Sequence, residues 1–155
     1  MTKQDITTVT ILKSLFTRDL NRLYNEIQLY RNEKAIWKTE KQIANSGGNL
    51  CLHLIGNLNT YIGKEIGNTN YIRNRELEFS LKDVPRAALL EKIKSTIDVI
   101  NTSLDKLDDK LLESEYPVVV LEEKTSTGFL LMHLATHLAY HLGQINYHRR
   151  LMDDY

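Results

Sequence analysis

Proline is nearly absent from this chain. Its two copies, Pro85 and Pro117, both fall where apolar periodicity breaks. A proline inside a helix removes a hydrogen bond and clashes with the preceding turn. The long proline-free stretches carry apolar residues at three- and four-residue steps, the period of an amphipathic helix. The first such stretch runs roughly from Thr8 to Trp37 and includes Leu12, Phe16, Leu20, Leu23 and Ile27. Gly47 and Gly48 interrupt, with Asn45 or Ser46 placed to cap the next helix. That second helix is predicted roughly from Asn49 to Ile66, stopped by Gly67 and Asn68. Pro85 can start a third, which carries Leu89, Ile93, Ile97, Ile100, Leu104 and Leu107. Thr125, Ser126 or Thr127 can cap a fourth that reaches Met152. Val118, Val119, Val120 and Leu121 are too few for a helix and too β-branched to favour one, so they read as a short extended segment packed before the last helix. The expectation is all-α: a four-helix bundle forming a single domain over residues 1–155.

The totals exclude several function classes. Lys plus Arg and Asp plus Glu are 20 each, so no net charge or basic block draws the chain to nucleic acid. No apolar run reaches the length of a membrane span. The N-terminus shows no signal-peptide pattern and Cys51 is the only cysteine, which fits the cytoplasm.

The chemistry concentrates in HLATHLAYHLGQI, where His133, His137 and His141 stand four residues apart. At about 100° per residue, with His133 at zero, Gln144, His137, His148 and His141 fall at about 20°, 40°, 60° and 80°. The leucines and Ile145 occupy the adjoining arc, so the polar edge borders the core face. Imidazoles one turn apart have Cβ atoms about 5–6 Å apart and can converge on one ion. No glutamate follows the first histidine of either pair, which removes the zincin protease pattern. A third ligand has to come from elsewhere. His53, in CLHLIGNLNTYIG, is the only histidine outside the last helix, and it also borders an apolar face. Spacing alone leaves two readings open: a three-histidine metal site, or histidines hydrogen-bonded at the edge of a core. Cys51 lies about 200° round its helix from His53 and reads as a packed thiol.

NSGGNLCLHLIGNLNTYIG on the second helix, followed by HxxxHxGQ on the last, resembles the DinB/YfiT-like family of bacterial metalloproteins over nearly the whole chain. The resemblance implies an up-down-down-up bundle, usually a homodimer, with a divalent metal held by three histidines. Carried over by motif, the ligands are His53, His137 and His141, since His141 is the one followed by Leu142, Gly143 and Gln144. Many relatives have Arg where this chain has Leu142, so any role of that Arg is not carried over. Zinc or nickel is the expected ion. Characterised relatives use a low-molecular-weight thiol such as bacillithiol, which implies a metal-dependent thiol S-transferase acting on a small-molecule electrophile. The alternatives are a non-catalytic metal-stabilised bundle or a stress-related binding protein.

Four polar residues sit where substrate would lie: Asn57, His133, Tyr140 and Gln144. For Asn57, a helix–helix hydrogen bond is the competing reading. The RNREL stretch, Arg73 to Leu77, reads either as a lid that binds an anionic thiol or as a salt-bridged loop. Arg149 and Arg150 suit the negative end of the last helix.

Overall fold

The computed structural model describes residues 6–153. Its helices are α1 (Thr8–Leu29), α2 (Gly47–Leu58), α3 (Arg75–Ser80), α4 (Arg86–Leu104) and α5 (Thr127–Met152), with a π-helical continuation of α2 over Asn59–Lys64. Four of these make an all-α bundle, and α3 is a short helix in the connector between α2 and α4. None of the described helices is long and apolar enough to cross a membrane.

Contacts along the helices fix their directions. Thr17, midway along α1, bonds Asn101 near the end of α4, and Gln28 near the end of α1 accepts from Arg86 at the start of α4, so α1 and α4 are antiparallel. Glu26 of α1 holds Asn146 and Arg149 near the end of α5, so these two run parallel. Asn59 meets Thr96 and Gly63 meets Val99, which makes α2 with its continuation parallel to α4. His53 faces His137 and Gly47 faces His148, which makes α2 antiparallel to α5. The order is therefore up, down, down, up. The helices close round a core that includes Phe16, Leu20, Leu23, Leu54, Leu58, Leu89, Ile93, Leu134 and Leu138.

Ser46 caps α2 and Ser126 caps α5, each side-chain oxygen accepting from the backbone N–H three residues on. The first helix ends at Leu29 rather than Trp37. A short 3₁₀ turn, Glu33–Trp37, then folds Ile36 and Trp37 into the core. Gly47 and Gly48 do not interrupt a helix; they open α2. A Cβ at Gly47 would lie 2.3 Å from the Tyr30 hydroxyl, and one at Gly48 would lie 2.7 Å from the Trp37 ring. These glycines serve close packing, not a turn. The stretch before α5 is extended, with one antiparallel bridge between Glu115 and Ser126 and no strand among the described residues. Val120 packs on the core, whereas Val118, Val119 and Leu121 are exposed, contrary to the packed segment expected.

Candidate metal centre

The middle of α2 and the middle of α5 meet at three imidazoles. His137 Nε2 lies 3.3 Å from His53 Nε2 and 3.1 Å from His141 Nε2. One ligand nitrogen from each residue fits within 4.8 Å of the others, a group that could hold a metal ion. Two nitrogens bound tetrahedrally to one zinc at about 2.0–2.1 Å would stand about 3.4 Å apart. The two separations from His137 are close to that value.

The outer nitrogens decide what the inner ones offer. His53 Nδ1 lies 3.1 Å from Glu78 Oε1, and an ionised carboxylate only accepts, so Nδ1 carries the proton. His141 Nδ1 lies 2.6 Å from Gln144 Oε1 and donates to it. Both rings therefore present a bare Nε2 lone pair to the centre. Lone pairs facing each other repel unless a proton or a cation lies between them. Burial, followed by the neighbouring His141 and His53, pushes the His137 pKa down to about 4. Burial also lowers the pKa of His141, against the Gln144 hydrogen bond. The pocket thus disfavours protons on these two rings and keeps their lone pairs free for a cation.

Glu78 belongs to α3. Burial would raise its pKa, but hydrogen bonds from Arg73 and His53 outweigh that and hold it below the ordinary carboxylate range. Arg73 grips it with two bonds of 2.8 Å, Nε to Oε2 and a terminal nitrogen to Oε1. A terminal nitrogen of Arg73 also comes within 3.4 Å of His53 Nδ1, but both atoms are donors there, so this is contact and not a hydrogen bond. Phe79, next to Glu78, packs tilted against the His53 ring at 5.1 Å between centroids.

Residues 6–155 match the family described as "Protein of unknown function (DUF1572)". The chain belongs to the DUF1572 family. A search of curated proteins found no match.

Of the three histidines, His141 lines a cleft of about 540 Å³ in this DUF1572 protein. His141, Tyr140 and Gln144 form one wall, Ile43, Asn45 and Leu50 another, and among the described residues no Asp, Glu, Lys or Arg lines it. Tyr140 is exposed and stands edge-on to His141. Of the other residues expected near substrate, His133 stacks on the far side of His137 at 6.3 Å, outside the trio. Asn57 is buried one turn beyond His53, with its Oδ1 unpaired. His137 Nδ1 is also buried without a partner. Among the described residues, Asn57 Oδ1 accepts no helix–helix hydrogen bond.

Two other residues are fixed by specific partners. Arg73 is bound to Glu78, which agrees with the salt-bridged reading of the RNREL stretch. His148 is buried against Tyr30, whose hydroxyl donates to Nδ1 over 2.6 Å, while Nε2 donates to the Lys38 carbonyl. Glu78 and Phe79 went unread because α3 has too few turns for a periodic signal. The available clue was Asn74, which caps α3, with Glu76 and Glu78 in its first turn.

Proposed function

We propose that this DUF1572 protein is a divalent-metal-dependent enzyme that activates a small thiol for transfer to a small electrophile. The observation that carries the reading is the convergence of three Nε2 atoms beside an open cleft, with two of the three rings held in the metal-binding tautomer. His53, His137 and His141 would hold the ion, and three imidazoles suit zinc or nickel. An ion so held supplies the positive charge that lowers a thiol's pKa toward neutrality. The chain's own residues do the rest. Gln144 fixes the His141 ring and borders the cleft. Tyr140 offers a flat, exposed face to the substrate body. Asn57 keeps an unpaired carbonyl oxygen that can accept from a substrate donor. Among the described residues the cleft walls carry no formal charge, which favours an uncharged body of the electrophile there.

The resemblance to DinB/YfiT-like proteins supports the thiol chemistry and a cytoplasmic homodimer. Phe129 and Met132 lie exposed on α5 away from the residues that line the cleft, which supports a second copy packing there. A second reading, a non-catalytic ion that ties α2 to α5, draws on the spread of the ligands over two helices.

The test is turnover of a panel of low-molecular-weight thiols and electrophiles by zinc- or nickel-loaded protein against chelated protein. Metal-dependent thioether formation is expected. Tight metal binding without turnover across the panel would leave the tie between helices as the better reading. No metal binding would end both.

A further inference from the structure

We infer that Arg73 and Glu78 form a positioning pair for the candidate centre, so that the short α3 connector is a working part of it. This rests on the metal reading proposed above. His53 projects from α2, yet both groups that hold its ring outside the trio come from α3. Glu78 accepts from Nδ1, and Phe79 packs on the ring. Glu78 is 6% exposed, and a buried carboxylate needs compensation. Arg73 provides it as a two-bond fork, stacked above the Tyr61 ring with its carbon 5.7 Å from the centroid. The main chain of α2 makes room, since a Cβ at Gly56 would sit 2.0 Å from Glu78 Oε2.

The pair does two things at once. The carboxylate fixes the ring's tautomer and aim, which strengthens Nε2 as a donor to a cation. Arg73 cancels the carboxylate's charge, so the surroundings add no net negative charge to the centre. Three neutral imidazoles then leave a bound divalent ion its full charge toward an incoming anionic group such as a thiolate. A lone carboxylate beside His53 would blunt that charge. Arg73 and Glu78 are therefore positioning residues that act through His53 and touch no substrate.

The competing explanation is that the pair merely anchors α3 to the bundle. Asn49 already does so, its side chain donating to the Glu78 and Leu81 carbonyls at 2.9 Å each. The experiment compares Glu78→Gln and Glu78→Ala with Asn74→Ala, which removes the α3 cap and leaves the pair alone. Zinc affinity is read by chelator competition, the cobalt-substituted visible spectrum reports the ligand field, and melting of the metal-free chain reports the fold. Glu78→Gln should weaken zinc binding about 10-fold and Glu78→Ala nearer 100-fold, with a shifted cobalt spectrum in both. Asn74→Ala should lower the melting temperature yet leave affinity within about threefold and the spectrum unchanged. Equal affinity and spectrum in Glu78→Gln and the wild type would overturn the pair's role while leaving the metal reading intact. An affinity loss in Asn74→Ala as large as in Glu78→Ala would assign the effect to α3 anchoring. A wild-type chain that binds no zinc would overturn both inferences.

Discussion

Gly56→Ala should weaken metal binding without touching any ligand. The backbone tolerates alanine here, since Gly56 is helical and among the described residues no glycine has a positive φ. Alanine in a helix interior even gains roughly 0.5–1 kcal/mol over glycine. The new Cβ, however, would lie 2.0 Å from Glu78 Oε2 and 2.7 Å from Cδ, against an ordinary contact of at least 3.4 Å. The carboxylate must retreat by roughly 1.4 Å to restore that contact. It is the end of a flexible side chain, so the fold can absorb the shift. The centre cannot. His53 Nδ1 and Glu78 Oε1 stand 3.1 Å apart, near the limit of a hydrogen bond, and a retreat of that size breaks it. Losing such an outer partner typically costs 10–100-fold in metal affinity, or about 1.4–2.7 kcal/mol. The expected result is a folded apo protein with zinc affinity reduced by that factor, measured by chelator competition, with thermal melting to show that it folds. A folded Gly56→Ala protein that holds zinc within about threefold of wild type would refute the reasoning.

Other substitutions separate the histidines from one another. His137→Ala should abolish zinc binding by equilibrium dialysis, while His133→Ala should retain most of it; the reverse would move the centre one turn along α5. Tyr30→Phe leaves His148 Nδ1 buried without its donor and should cost about 1–3 kcal/mol in urea unfolding with little change in metal affinity. The metal-free chain should lose stability as pH falls. His137, His141 and His148 all have folded pKa values below the ordinary 6.5, so below that value the unfolded chain binds more protons than the folded one. The stability is intact above about pH 6.5 and declines toward about pH 4, where His137 protonates in the folded state. A melting temperature of the apo protein that stays level from pH 7 to pH 5 would contradict this.

The bundle and the histidine trio were legible in the sequence because both rest on helical period. Leu134, Leu138 and Ile145 point inward, and the same arithmetic puts His137 and His141 beside them. His53 was reachable because no other histidine lies outside the last helix. What escaped depends on contacts between segments distant in sequence. Glu78 lies 25 residues beyond His53, on a six-residue helix that no periodicity marks. Gly47 and Gly48 look like a turn in sequence, because glycine marks a turn and a close approach alike, and only the Tyr30 hydroxyl and the Trp37 ring tell them apart. For Arg73 the sequence offers a salt bridge but not its partner, since Glu76 and Glu78 are both near in the chain and only the fold selects Glu78.

The separation of 84 residues between His53 and His137 also bears on the order of events in synthesis. His53, Arg73 and Glu78 all precede α5 in the chain, so the groups that hold His53 from outside the trio are made before the pair that completes it. The three imidazoles can meet only once α5 has been made. A chain halted before Thr127 would retain the whole supporting apparatus of His53 and have nothing to share an ion with.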